Sequence, residues 1–533
     1  MERFRSRQKA AGSGDSWGAF RQDGSWVLHG DEPWVGDPFR RRAAQQRALA
    51  WCSPKGRLSP GVLLRLVVTL LVFAGALARW RLRTSLRRGQ SRAIAADEFR
   101  RAAERLGATW IKLGQLVAAG EGIFPDELVA SCRELHDRVR REPHHAVVKV
   151  LRDSFGPDWA EDLTLDPEPL AAASIAQTYR ATLRGGVEVV VKVQRRGVAR
   201  RVERDVRALS RIAPYLVGRI PVAALANPPA LVDLFARCVG EELDFCVEAA
   251  NACDVAIVVA RYGSGGVLVP RPHPTLVRER AMVLEYVPGT RIEDVDPRLG
   301  AQIVDTLAAT VLEGALLGGV FHGDLHPGNM AFTPAGDVVL YDFGIVARLE
   351  ESERSAFLGL VAGGVTGNWR QQLRGLIGLG ALPGDGDLDT LGRELGLDRP
   401  AVDPSSLAPE ELAREAARVA RVLLDAGARL PKPLMLWGKN LAFLDATVGR
   451  LCPERDLVQL ITGVMTSFAS RHGAALGGVL SVSSLDRSAV ASALAAGDGG
   501  LTWGEMRERR RTIVERQRRR GKRHHAGSGD GKP

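Results

Sequence analysis

The sequence predicts an α+β, two-lobed chain, and three observations carry that prediction. A run of alternating character, Val187-Glu-Val-Val-Val-Lys-Val193, follows a Gly185-Gly186 turn and a shorter stretch, Ala181-Thr-Leu, which reads as strand, turn, strand. Apolar residues recur at three and four from Asp97 to Arg140, with Arg and Glu between them, which reads as helix. Residues 351–480 read as mostly helical, with Gly and Pro breaks near 380–385 and 399–404. A strand-rich part followed by a helical part is the pattern of an α+β architecture.

The elements follow in order along 533 residues. Residues 1–60, rich in Gly, Trp, Arg and Asp without clear periodicity, are expected to be disordered. Residues 61–93 form an apolar and basic segment. Its run from Gly61 to Ala78 is interrupted only by Arg65 and Thr69, and a helix of eighteen residues spans roughly 27 Å, just short of a bilayer core. Arg79, Trp80, Arg81 and Arg83 follow it like an interfacial anchor, and the long stem of Arg65 allows its head to turn outward. Spanning a membrane, lying on one, and packing on the protein core all remain open for this run. Residues 94–165 form a helical extension and 166–288 the strand-rich lobe, with a helix from about Val198 to Leu209 and a strand from Ala281 to Tyr286. In the second lobe, 289–480, Ile303–Leu317 is helical and Asp337–Tyr341 is a short buried strand. Residues 481–533 are a flexible basic tail.

Charge and cysteine usage narrow the function. Residues 1–60 carry a net +5, 61–93 a net +7 with no acid, and 507–523 a net +8, which leaves 94–506 at −9 within a total of +11. Basic ends on an acidic middle suit an anionic membrane surface. Without a zinc finger or an RNA-binding motif, no nucleic-acid partner is expected. The six cysteines have no CxxC spacing and read as reduced thiols.

The strongest chemical signal is His322-Gly-Asp-Leu-His-Pro-Gly-Asn329, followed by Tyr341-Asp-Phe-Gly344. Phosphoryl transfer from ATP depends on positioning and charge compensation, with a carboxylate near the acceptor and oxygen ligands for Mg²⁺. Asp324 and Asn329 stand at the D-x4-N spacing of a kinase catalytic loop, and Asp342 opens a DFG thirteen residues later, directly after a predicted strand. Lys192 closes the VVVK run, where a lysine pairs with the nucleotide phosphates. The chain holds 9 Lys against 64 Arg, so lysine at this point is informative. No GxGxxG occurs. The turn instead reads Leu170-Ala-Ala-Ala-Ser-Ile-Ala-Gln177, whose Ala171, Ala172, Ala173 and Ser174 can still approach phosphates, with Ser174 as a donor. Glu285 and Tyr286 sit where an adenine-contacting hinge belongs.

These pieces resemble the UbiB-like (AarF-type) atypical kinase family, which replaces the Gly-rich loop by an Ala-rich one, here AAASIAQ. The family's KxGQ motif appears as Lys112-Leu-Gly-Gln115 and its ExD motif as Glu242-Leu-Asp244. The resemblance is specific over about 95–350 and looser to about 470. It implies a protein-kinase-like fold, with 166–288 the small lobe, 289–480 the large lobe, and a helical N-terminal extension carrying the KxGQ. It implies Lys192 as the phosphate-binding lysine, Glu248 as its ion-pair partner, and Asp324 as the catalytic-loop aspartate. Asn329 and Asp342 would be metal ligands. Lys112 and Gln115 would lie in a regulatory segment folded over the pocket where a protein substrate would otherwise dock, with Glu242 and Asp244 facing it. It further implies ATP or ADP with Mg²⁺, a role in isoprenoid-quinone or lipid metabolism, and a membrane surface or membrane-bound small molecule as partner. Quinone-biosynthesis proteins are the implied protein partners, and the implied place is the cytoplasmic side of a membrane, peripheral or held by one N-terminal span. The family's Pro-rich acidic turn after KxGQ is here Gly120–Asp126, and the C-terminal membrane helices of some members are not visible.

Two other readings stand beside it. Aminoglycoside- and choline-kinase-like phosphotransferases share HGDLHPGN and a DFG-like aspartate but lack KxGQ. A nucleotide-gated membrane adaptor without catalysis is the third.

Overall fold

Alternation builds the strand-rich lobe. Three strands, β1 (Leu163–Ala172), β2 (Ala176–Leu183) and β3 (Glu188–Gln194), form a meander, and β6 (Ala281–Glu285) and β5 (Pro272–Val277) complete an antiparallel sheet of order β1-β2-β3-β6-β5. In a strand, successive side chains face opposite ways. Val189, Val191 and Val193 therefore turn to one face, where Val147, Val150 and Leu151 of helix α6 (His144–Phe155) pack with Tyr179 and Ala181. Lys192 turns to the other face with Ala176 and Met282, which pack against Phe245, Cys246, Ala249 and Cys253 of a second helix, Phe245–Tyr262.

This computed structural model describes residues 38–472, except 54–58, 87–90, 119–124, 136–140, 217–227, 263–264, 367, 385–386, 398–417, 419–421, 424–425, 429–430, 456, 458–459, 462, 465–466 and 468–470. The predictions for 1–37 and for the basic tail at 481–533, and most of the Gly120–Asp126 turn, lie outside the described residues.

A helical layer precedes and flanks the sheet. It holds α1 (Pro38–Cys52), α2 (Pro60–Leu86), α3 (Ser91–Leu106), α4 (Ala108–Ala118) and α5 (Asp126–Arg133), joined by α7 (Val198–Leu216) and α8 (Pro228–Glu242) around a shared apolar core. The helical periodicity read over 97–140 is cut at Gly107, whose φ of 93° suits glycine and separates α3 from α4. The expectation of disorder over 1–60 fails for residues 38–52. Helix α1 packs on α8 through small residues: a Cβ on Gly240 would lie 2.6 Å from the Cβ of Ala48. Two alanines at i and i+4 leave no large apolar stripe in the sequence, which is why periodicity did not reveal the helix.

The run at 61–78 is helical within α2, and its two faces differ. Val62, Thr69 and Ala76 are buried, and Phe73 packs on Phe99 and Trp110. Leu63, Leu64, Val67, Leu70, Leu71, Leu77 and Leu82 are exposed. The expectation that Arg65 turns outward is overturned. It pairs with buried Asp205 and donates to the carbonyl of Leu106. Arg79 reaches Glu98 at 2.6 Å, and Arg83 reaches Asp97 at 2.6 Å. Helix α2 thus docks on α3 and α7 by a face that combines Arg65, Arg79 and Arg83 with Val62, Phe73 and Ala76, and presents a second apolar face outward.

The second lobe is built on α9 (Phe245–Tyr262) and α10 (Gly300–Glu313), where β4 (Val267–Leu268), β9 (Val338–Leu340) and β8 (Met330–Phe332) form one small sheet. Strands β7 (Val320–His322) and β10 (Val346–Arg348) form another. Helix α10 ends in a π-turn at Gly314–Gly318 before β7. Helices α11 (Glu351–Thr366), α12 (Trp369–Gly378), α13 (Leu388–Leu395) and α14 (Lys432–Leu451) follow. The six cysteines are all free, and burial pushes the thiols of Cys132 and Cys246 up to about 12.

Candidate active site

Two neighbours that are far apart in sequence meet at Lys192. Its ammonium lies 2.7 Å from Glu248 Oε1 on α9 and 3.2 Å from Asp342 Oδ1. Burial works against its charge, but Asp342 and Glu248 more than offset that and hold the ammonium above the ordinary lysine value. Burial pushes the Glu248 carboxyl up to about 7 against the pull of Lys192. The Asp342 side chain is 47% exposed, and although its dense surroundings still oppose ionisation, Lys192 and Lys112 win and hold it well below the usual carboxylate range. Asp342 is the described non-glycine residue with positive φ, at 57°. Aspartate tolerates that region better than most residues, and such strain concentrates at functional sites. Gly344 N–H donates to Asp342 Oδ1 at 3.2 Å and so fixes the carboxylate.

The loop after β7 is held from both sides. His322 is buried, and burial lowers its basicity. Its Nδ1 accepts from Asp324 N–H at 3.0 Å, and its Nε2 lies 3.0 Å from the carbonyl of Tyr341. A carbonyl only accepts, so this ring carries its proton on Nε2 and is a brace, not a metal ligand. His326 Nδ1 accepts from Gly328 N–H at 3.0 Å. Asn329 donates from Nδ2 to the carbonyl of Asp324 at 3.1 Å. The amide oxygen of Asn329 is then the atom left to face a cation.

Asn329 and ionised Asp342 are hard oxygen donors, as Mg²⁺ prefers. Among the described residues no group of three or more His, Cys, Asp or Glu could hold a metal alone. A cation here would therefore share its shell with phosphate oxygens, which fits a site for a metal-nucleotide complex.

The remaining predicted residues fall around this centre. Ala171 and Ala172 end β1, and Ala173 and Ser174 lie in the turn into β2. Among the described residues the buried Ser174 Oγ meets no hydrogen-bond partner, which leaves an unspent donor in the turn between β1 and β2. At the end of β6, Glu285 turns its carboxylate to the Arg271 N–H at 3.2 Å, so only its backbone faces the hinge role. The Tyr286 ring lies under the Arg180 guanidinium, 4.5 Å from its centroid. In α4, Lys112 pairs with Glu242 at 3.0 Å, and Gln115 is half-buried one turn on. The glycine between them leaves room for its neighbour: a Cβ on Gly114 would run into Leu135 Cδ1, which would have to shift.

Asp244 departs from expectation. Its carboxylate meets Arg40 of α1 at 2.9 Å, with Arg47 at 3.7 Å, and accepts from Cys246 N–H at the start of α9. It caps the helix bearing Glu248 and ties it to α1, whereas Glu242 ties to α4.

Sequence reasoning missed several partners. Lys439 of α14 lies 2.8 Å from Asp324 Oδ1. Asn440 donates to the carbonyl of His322 at 2.5 Å and accepts from Leu325 N–H. Asn251 of α9 donates to the carbonyl of Phe343 at 2.8 Å. Lys432 pairs with Glu241 at 3.2 Å. None of these stands in a motif, and the scarcity of lysine, applied above to Lys192, singles out neither Lys432 nor Lys439 from the other lysines.

A family model described as "ABC1 atypical kinase-like domain" matches residues 134–374. An uncharacterised protein of Mycobacterium tuberculosis is 37% identical over 259 residues, which cover 47% of this chain and 52% of that one. The chloroplastic Arabidopsis thaliana protein named Activity of BC1 complex kinase 7 is 29% identical, over 56% of this chain and 44% of that one. A chloroplastic aarF domain-containing protein kinase of the same plant, itself uncharacterised, is 28% identical over 68% of this chain and 73% of its own length. The chain spans about half the length of the first two relatives.

Proposed function

We propose, for a chain that belongs to the UbiB-like atypical kinases through its ABC1 atypical kinase-like domain, that the site around Lys192, Asp324 and Asp342 binds ATP with Mg²⁺ and transfers or hydrolyses the γ-phosphoryl group. The observation that carries this is the Lys192 ammonium held between Glu248 and Asp342 at 2.7 and 3.2 Å. In this reading Lys192 binds the nucleotide phosphates and Glu248 keeps the lysine in place. Ala171, Ala172, Ala173 and Ser174 cover the phosphates, and the backbone at Glu285 and Tyr286 borders the adenine. Asn329 and Asp342 would hold Mg²⁺, which when bound neutralises phosphate charge. Asp324 accepts the proton of the attacking hydroxyl. Lys112 and Gln115, with Glu242, form a gate beside Asp342, supported by the pull of Lys112 on the Asp342 carboxylate.

The site of action in this reading is a membrane surface, and the acceptor belongs to quinone or lipid metabolism. What supports the surface is α2, whose apolar stretch of mean hydropathy 2.3 is only 17% buried although its arginine-bearing face is docked. An apolar outer face on a docked helix suits a helix lying on a bilayer rather than one crossing it. The test is ATP hydrolysis with and without anionic liposomes and quinone-precursor mimics. Stimulation by both supports the reading. Turnover of soluble amino sugars or choline alone supports the phosphotransferase alternative, and nucleotide binding without turnover supports the adaptor.

A further inference from the structure

Phosphoryl transfer gathers negative charge on the equatorial oxygens of the moving group, and kinase-type sites place a cation there. The loop Asp324-Leu-His-Pro-Gly-Asn329 contains neither Lys nor Arg. Its one basic ring, His326, uses Nδ1 to accept from Gly328 N–H and sets its edge on Phe443 at 5.2 Å. The loop therefore brings no cation of its own to Asp324.

Helix α14 does. Lys439 Nζ lies 2.8 Å from Asp324 Oδ1, with only 16% of its side chain exposed. The ammonium also lies over the Phe443 ring, 5.6 Å from its centroid. The next residue fixes the helix to the loop on both sides of Asp324: Asn440 bonds His322 before it and Leu325 after it. Moving Lys439 away from the loop would break both bonds in a buried place. An ammonium has three donors, so Lys439 can keep Asp324 and still offer a proton to a phosphoryl oxygen. A guanidinium fork would commit its plane to the carboxylate, which fits lysine standing here in a chain with 64 Arg and 9 Lys.

We propose that Lys439 is a catalytic residue, the cation that contacts the γ-phosphoryl group and that the loop itself lacks. This rests on the nucleotide reading above. In the step, the acceptor hydroxyl gives its proton to the Asp324 carboxylate and its oxygen bonds to the γ-phosphorus. The bond from γ-phosphorus to the bridging oxygen breaks, and ADP leaves with that electron pair. Lys439 exchanges no proton; it holds Asp324 in line and stabilises the oxygens of the moving group.

The experiment compares the full chain with Lys439→Ala and Lys439→Arg, measuring calorimetric affinity for Mg-ADP and for a non-hydrolysable β,γ-imido ATP analogue. Only the analogue carries a γ-phosphoryl group. One lost charge-assisted hydrogen bond corresponds to roughly tenfold in affinity or more. Lys439→Ala is expected to bind the analogue at least tenfold more weakly with ADP affinity within about twofold of wild type, and Lys439→Arg to recover part of the loss. A variant that binds both ligands as wild type does, or loses both equally, overturns the proposal and leaves Lys439 a positioning residue for Asp324. Wild type binding neither ligand instead overturns the nucleotide reading itself. Should alanine prevent folding, Lys439→Gln keeps the length and removes the charge, and the same two affinities decide.

Discussion

Replacing Arg65 with alanine tests how α2 meets the rest of the protein. Arg65 places its guanidinium on both oxygens of Asp205, with Nη2 3.1 Å from Oδ2, and Asp205 is only 2% exposed. Removing one partner of a buried pair leaves an uncompensated charge and costs about 3–5 kcal/mol. Arg65 is itself a quarter exposed, so the lower end applies, with about 1 kcal/mol added for the carbonyl of Leu106. At a urea slope of about 2 kcal/mol per molar, a loss near 4 kcal/mol lowers the midpoint by about 2 M. Trp110 packs on Phe73 of α2 with ring centroids 5.1 Å apart, so its fluorescence reports undocking, and Trp110→Phe identifies its share of the signal. The double variant Arg65→Met with Asp205→Leu should recover most of the loss, because two apolar side chains leave no charge behind. A midpoint for Arg65→Ala within about 0.2 M of wild type would refute the docked helix. A membrane-crossing helix predicts the reverse: no loss of stability, and tighter liposome binding once the charge is gone.

The other predictions follow from the site and its supports. Asp342→Asn should abolish most of the thermal shift produced by Mg-nucleotide, and an undiminished shift would sink the metal assignment. The Glu248 carboxyl, raised from 4.5 to about 7, holds a proton that the unfolded chain releases, so its contribution makes stability fall as pH rises between those values; Glu248→Gln should flatten that fall in melting temperatures taken from pH 5 to 7, and an unchanged slope would remove the assigned cause. Lys112→Ala frees Glu242 from its 3.0 Å partner beside Asp342 and should change the ATP-to-ADP preference at a stability cost of about 1–2 kcal/mol, readable by calorimetry; unchanged preference would make the gate a plain packing contact. Deleting residues 1–93 removes α1 and α2 and with them the Arg40–Asp244 and Arg65–Asp205 pairs, so a large fall in melting temperature is expected, and a deletion that melts as wild type does would contradict both docking contacts.

How much of this was legible depended on sequence distance. Asp324, Asn329 and Asp342 announce themselves because one loop and one turn must hold them at fixed spacing. Lys192 did so because a period-two run gives its side chain a face. The KxGQ glycine was visible as a letter, but the reason for it, a Leu135 methyl in the place of a Cβ, needs a neighbouring helix. Lys439 was not legible: it reaches Asp324 from more than a hundred residues away, and a lone lysine on a helix has no local signature. Asp244 was assigned to the wrong helix for the same reason, since only the packing of Ala44 and Ala48 on Gly240 brings Arg40 to it. Two strand ends shifted by a residue where backbone pairing, not side-chain pattern, decides them, Ala281–Glu285 against the expected Tyr286 and Val338–Leu340 within Asp337–Tyr341, whereas β2 begins at Ala176, five residues before the expected Ala181.

The small helix at 38–52 also constrains how the chain is made. Its ties run to Asp244 and Glu241, 204 and 196 positions further on, and the Arg65 tie spans 140. At roughly 5–20 residues per second, translation leaves α1 without its partners for about 10–40 s. Helix α2 waits less, because Phe99 and Glu98 of α3 follow it closely and only its Arg65 must wait for Asp205. Closure of so long a loop is slow compared with local helix formation, which places these contacts among the last to assemble. A ribosome-bound nascent chain halted before residue 240 should therefore expose α1 to protease or to a chaperone, and one extended past α9 should protect it.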